Sequence, residues 1–199
     1  MSANPQRNAR IARATSETDI ELELFLDGSG SSDIDTGIGF FDHMLTAFAR
    51  HGCFDLQLRC KGDLQVDQHH TVEDVGICLG QAIDKALGTK EGITRFGHAY
   101  VPMDEALARV VVDLSGRSYL VLEPAFEEAA VGEFSAGLVV EFFRAVADHG
   151  KANIHIDLLR AANNHHGIEA IFKAFGRALD YASLISPRVQ GVPSTKGSL

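Results

Sequence analysis

The sequence predicts an α+β fold made of two similar halves, each a small sheet packed against helices, and three observations carry that prediction. The first is an internal repeat. HHTVEDVGICLGQAIDKA at 69–86 and HHGIEAIFKAFGRALDYA at 165–182 share two histidines, a glutamate, a glycine, two alanines and an aspartate at a constant spacing of 96 residues. The second is its upstream extension, where FFDHMLTAFARHG at 40–52 faces LVVEFFRAVADHG at 138–150, so that His51-Gly52 matches His149-Gly150. The third is an alternating segment between the blocks of each half. Phe54, Leu56, Leu58 and Cys60 alternate with Asp55, Gln57 and Arg59; Ile154, Ile156 and Leu158 alternate with His155 and Asp157. Period-two alternation reads as a strand with one buried face, and strands mixed with helices in this way argue a layered α+β domain.

Taken in order, the polar N-terminus MSANPQRNARIARATSE lacks the apolar core of a signal peptide, and a strand pattern begins almost at once. Ile20, Leu22, Leu24 and Leu26 give a strand that ends at the turn-rich DGSGSSD. A helix over 40–52 and the strand at 54–60 follow. The next helix carries Val72, Val75, Leu79 and Ile83 as one apolar stripe. Thr71 followed by Asp74 reads as its cap, which puts the first histidine pair at the helix start. ALARVVVDL and SYLVLE predict strands ahead of the second half, whose last helix has the stripe Ile168, Phe172, Phe175 and Leu179. His51 and His149 each precede a glycine at a helix end, as last-turn cations before a C′ glycine would. His98 reads as structural. The whole of 1–199 is then one domain of two repeats, approximately 10–90 and 91–190, with a tail at 191–199.

Composition narrows the function classes. With 45% hydrophobic and 23% charged residues over 199 positions, the chain can bury about 70% of its unfolded surface and needs neither disulfide nor metal merely to fold. A net charge of −9 argues against a general nucleic-acid or anionic-membrane binder. Cys53, Cys60 and Cys78 form no CxxC pair and read as reduced thiols of a cytoplasmic protein. No apolar run reaches the roughly 18–20 residues of a membrane helix.

The chemistry lies in the two HHxxE motifs. Six of nine histidines (His43, His69, His70, His155, His165, His166) lie in or near the repeated blocks, with Glu73 and Glu169 at fixed spacing. At i and i+4 on a helix, His69 and Glu73 share a face and can reach one ion. Adjacent histidines diverge by about 100° around the axis, so each pair serves two different metals. A helix start favours the glutamates but not four cationic histidines, and ligation by neutral imidazole removes that objection. Imidazole mixed with carboxylate suits manganese, iron or zinc, and the absence of cysteine ligands weakens a structural zinc. Arg95 in TRFG, Arg117 in SGRSYL, Lys173 in FKAFG and Lys196 in PSTKGSL stand beside glycine- or hydroxyl-rich turns. Together they point to an anionic substrate, a phosphate held by charge-assisted hydrogen bonds.

FFDHML, GDLQVDQHHTVEDVGICLG, RFGHAYVPMDEALARVVVDLSGRSYL, NNHHGIEAIFKAFGRAL and the terminal PSTKG together resemble the imidazoleglycerol-phosphate dehydratase family of histidine biosynthesis, from RATSET at residue 13 to the C-terminus. The resemblance implies dehydration of imidazoleglycerol phosphate to imidazole acetol phosphate, with two Mn2+ ions per active site. It also implies half-domains similar to the second domain of ribosomal protein S5, in a hollow homo-oligomer, an octahedral 24-mer with active sites between subunits. The metal ligands it implies are His43, His69, His70, Glu73, His155, His165, His166 and Glu169. The substrate set is Glu17, His43, His51, His69, Glu73, Arg95, Arg117, His165, Lys173, Thr195 and Lys196, with Glu17, Glu73 and Glu169 catalytic. Ala161 stands where the family often has glycine, and the phosphatase domain fused to some relatives is absent, so dehydratase activity alone is expected. The rival readings are a metal-storage shell and a metal-dependent phosphatase.

Overall fold

The computed structural model describes residues 7–123, 126 and 129–199. The first half contains β1 (Asn8–Ala14), β2 (Thr18–Phe25), β3 (Ser32–Asp35), α1 (Gly39–His51), β4 (Asp55–Gly62) and α2 (His69–Leu87). The second contains β5 (Phe96–Met103), β6 (Ala106–Asp113), β7 (Tyr119–Leu122), the two-residue strands β8 (Ala130–Val131) and β9 (Phe134–Ser135), α3 (Leu138–Gly150), β10 (Asn153–Arg160) and α4 (Asn164–Ser183). The sheets have one topology used twice. Sheet one runs β1-β2-β4-β3 and sheet two runs β5-β6-β10-β7, each antiparallel until a parallel fourth strand.

The alternation read in the sequence sets the layers. Ile20, Leu22, Leu24, Leu56 and Leu58 are buried under α1 and α2; Val110, Val112, Ile154 and Ile156 are buried under α3 and α4. The helix layers then meet crosswise, α2 on α3 and α1 on α4, so each half packs its helices on those of the other. Phe142 and Phe143 of α3 meet Phe172 of α4 at 5.2 and 5.1 Å between ring centroids, and Phe41 of α1 meets Phe142 at 5.3 Å.

Two local expectations are corrected. Thr71 and Asp74 do not cap α2. Thr71 lies inside the helix, and Asp74 is buried as the partner of Arg13 at 2.8 Å and of the Thr18 hydroxyl. The first turn is tied instead by Asp67, whose carboxylate accepts the His69 N–H at 2.7 Å. Nor do Gly52 and Gly150 take the left-handed C′ role; the residues after them do, Cys53 at φ 56° and Lys151 at φ 49°. Gly52 serves close approach: a Cβ there would lie 2.8 Å from the Gly176 carbonyl oxygen. At the matching place a Cβ on Gly80 would lie 2.8 Å from the Gly150 nitrogen. Three strands escaped the pattern reading: β3, inside the glycine-serine turn, β5, whose alternation is broken by Gly97 and Pro102, and the short β8–β9 ribbon taken as one.

Candidate metal centre

Both histidine pairs open a helix, His69 and His70 at the start of α2, His165 and His166 in the first turn of α4, where the Asn163 side chain accepts the His166 N–H. The adjacent rings diverge as the helical turn requires. Their planes cross at 88° with centroids 6.2 Å apart in the first pair, and at 84° and 6.1 Å in the second.

At the start of α4 three donors converge, one of them from the first half. His43 Nε2 from α1 and His165 Nε2 from α4 each lie 3.2 Å from Glu169 Oε2, and the three donor atoms are all within 4.8 Å of one another. Glu169 is buried, and Lys173 one turn on reaches its other oxygen at 2.6 Å. Burial pushes this carboxyl up, but the hydrogen bonds from Lys173 and His43 outweigh it and hold it below the usual range. Mixed imidazole and carboxylate donors at this spacing fit a divalent first-row cation.

The first half is less complete. His69 Nε2 lies 3.6 Å from Glu73 Oε2. The repeat counterpart of His43 is Glu141, which is tied to Arg144 at 2.7 Å, so α3 supplies no third imidazole. Among the described residues only the set of His43, His165 and Glu169 brings three donors together.

The second histidine of each pair faces other carboxylates, of which sequence reasoning named Glu17 and missed Asp63, Asp104 and Glu105. His70 Nδ1 is 3.1 Å from Asp63 Oδ2, with Glu17 at 3.7 Å from Nε2; His166 Nδ1 is 2.8 Å from Glu105 Oε2, with Asp104 at 3.9 Å from Nε2. The Asp63 and Glu105 hydrogen bonds raise the two imidazoles above their ordinary value. Glu17 lies in the β1–β2 turn, and Asp104 and Glu105 form the corresponding β5–β6 turn. An acid in the turn between the first two strands of each half was the available signal.

The remaining residues divide into two groups. Lys173 joins the metal set through Glu169. His51, at the end of α1, is depressed first by burial and then by the cations of Lys173 and Arg177. It lines a cavity of about 350 Å³ with Cys53, His98, Tyr100 and Arg177. Arg95 sits elsewhere: it pairs with Asp113 at 2.7 Å, donates to the Pro193 carbonyl at 2.9 Å, and its backbone N–H bonds to Ala182 near the end of α4. Arg117 follows Gly116, beside which the chain's last residue Leu199 passes. Thr195 and Lys196 belong to that same tail. Ala182 is thirteen residues beyond Glu169, or about 20 Å along the helix. His155 also stands apart, exposed on the open face of sheet two with its ring 6.4 Å from that of Tyr119.

The family profile described as imidazoleglycerol-phosphate dehydratase matches residues 36–179. The enzyme of that name from Salinibacter ruber is 58% identical over 193 residues, 97% of this chain and 96% of the relative. That from Chloroflexus aurantiacus is 56% identical over 197 residues, 98% of this chain and 96% of the relative. The crystal structure of the Staphylococcus aureus protein of the same name superposes with a TM-score of 0.82 at 42% identity, covering 90% of this chain and 99% of that one.

Proposed function

The chain belongs to the imidazoleglycerol-phosphate dehydratase family, and from that membership we propose a metal-dependent dehydration in sites assembled between chains. The reaction is the loss of water from imidazoleglycerol phosphate in histidine biosynthesis, and the protein is a hydro-lyase, not a storage shell or a phosphatase. The observation that carries the metal reading is the convergence of His43, His165 and Glu169. Those three would hold one divalent cation. His69, His70, Glu73, His155 and His166 would serve it and a second, for which the described residues of one chain bring together no third donor. Manganese is the ion we assign, from the family resemblance; the mixed nitrogen and oxygen donor set fits it as it also fits iron or zinc. When bound, such ions supply Lewis acidity toward the substrate's imidazole.

The protein's own groups do the rest. Hydroxide must leave the carbon beside the ring, and a proton must leave the next carbon, which no carbonyl acidifies. The ring therefore gives up its N–H proton and its electrons expel the hydroxyl, the two leaving together as water, to give a conjugated diazafulvene whose neighbouring C–H is acidic. Glu17, exposed in its turn, takes that proton; the ring regains its own, and the enol becomes the ketone. Arg95, Arg117, Lys173, Thr195 and Lys196 hold the phosphate. Glu17→Gln should keep metal and substrate and turn over about 10²-fold more slowly.

Assembly follows from the same separations. Arg95 and the tail lie about 20 Å along α4 from Glu169, too far for one short substrate to touch both in one chain. The open face of sheet two exposes Phe96, Tyr100, Val111 and Tyr119 around the ion pair Arg109–Asp157, whereas sheet one carries the ion pairs Arg10–Glu21 and Arg59–Asp33 and no exposed aromatic ring on its face. An apolar face of this kind fits a second copy, and we assign a homo-oligomer, an octahedral 24-mer, working in the cytoplasm. Chelation should abolish turnover and added Mn2+ restore it. Full activity of metal-free protein would overturn the metal reading.

A further inference from the structure

We propose that Asp63 and Glu105 are positioning residues that fix the tautomer of His70 and His166 and present Nε2 of each ring to metal. The inference rests on the reading of these two histidines as ligands. A carboxylate only accepts, so in the neutral ring, the form that binds metal, the nitrogen it faces carries the proton and the other keeps its lone pair. His70 Nδ1 lies 3.2 and 3.1 Å from the two oxygens of Asp63, and His166 Nδ1 lies 2.8 Å from Glu105 Oε2. Both rings therefore hold their proton on Nδ1 and leave Nε2 as the donor atom, beyond hydrogen-bond reach of Glu17 and Asp104 at 3.7 and 3.9 Å.

The two are fixed in different ways: the Asp63 backbone N–H donates to the Glu17 carbonyl at 3.0 Å, which holds the main chain beneath its carboxylate, and the other Glu105 oxygen accepts the Asn163 N–H at 2.9 Å, at the residue that caps α4. The repeat supplies the decisive comparison. Asp63 follows β4, and its counterpart after β10 is Ala161; Glu105 lies in the β5–β6 turn, whose counterpart holds Glu17 on the other side of the ring. The two halves thus bring a carboxylate to the same ring atom from different loops. Inheritance of a common sequence does not explain that coincidence, whereas a shared demand on ring orientation does.

The test measures Mn2+ binding by full-length protein, from the electron paramagnetic resonance signal of the free ion. Asp63→Ala and Glu105→Ala should each weaken binding by about 10- to 100-fold, the usual effect of removing such a partner. Asp63→Asn and Glu105→Gln keep an acceptor oxygen and should recover most of the affinity, while the circular dichroism of all four metal-free variants matches wild type. Unchanged Mn2+ affinity in the alanine variants, while His70→Gln and His166→Gln bind weakly, would overturn the positioning role. Unchanged affinity in the histidine variants would overturn the ligand assignment beneath it.

Discussion

Glu169 carries its charge inside the protein, with a side chain 8% exposed against 46% for Glu73, although the two occupy the same place in the repeat. Replacing them should therefore have different consequences. Glu73→Gln should weaken metal binding with less than about 0.5 kcal/mol change in stability, as for an exposed site. Glu169→Gln should weaken metal binding and also cost about 1–3 kcal/mol, because Lys173, His43 and His165 lose their common acceptor. The pH dependence has a definite sign. The Glu169 carboxyl is depressed in the folded chain, so its contribution is present above the ordinary glutamate value of about 4.5 and lost as pH falls through the lower folded value. Urea unfolding of metal-free wild type and Glu169→Gln should differ at neutral pH and converge in steps below 4.5. A gap that stays constant into acid would show that the charge of Glu169 is not what the variant removes.

At the scale of elements, four helices were legible, α2 and α4 from apolar stripes that follow one period over many residues, α1 and α3 as the matching upstream blocks of the repeat. The divergence of His69 from His70 was legible for the same reason, since it depends only on the helical turn. What was lost is long-range. Thr71 and Asp74 have the local form of a cap, but Arg13 and Thr18 from the first two strands claim Asp74. His166 finds Glu105 61 positions away, which spacing within a motif cannot reveal. The glycines after His51 and His149 were read as helix ends, yet Gly52 shares with Gly176 and Gly80 the task of letting helices from opposite halves touch, while an added carbon on Gly150 would meet Gly80 at an ordinary 3.5 Å. Gly176→Ala would put a Cβ 2.5 Å from the Phe48 carbonyl oxygen and Gly80→Ala one 2.8 Å from the Val146 carbonyl oxygen. These are backbone atoms that no rotamer change can clear, so each variant should lose about 1–3 kcal/mol. Gly39→Ala, with nothing within 4 Å of the added carbon, is the control and should be neutral or stabilising by up to about 1 kcal/mol in the same denaturant titration.

For the whole molecule, the ends of α4 separate two kinds of chemistry. His165, His166 and Glu169 stand at its start, while Arg95 is bonded to Ala182 near its finish and holds the tail through Pro193. The sequence shows both groups but no distance between them; the straight helix supplies it. If one substrate must touch metal ligands and arginine together, they come from different chains, and function can be restored by mixing two dead variants. Glu169→Gln keeps an intact Arg95; Arg95→Ala keeps an intact metal set. Each alone should be nearly inactive, the second by about 10- to 100-fold for a lost charge-assisted contact. Unfolded together, refolded with Mn2+ and assembled at random in equal amounts, the two chains would pair an intact metal set with an intact Arg95 in about a quarter of the sites, since each half of a site is drawn independently across a heterologous interface. Activity near a quarter of wild type in the mixed assembly, and no more than the few per cent left by Arg95→Ala in a mixture of separately assembled variants, is the expected outcome. Equal inactivity in both mixtures, with light scattering showing that the chains had co-assembled, would return the whole site to a single chain.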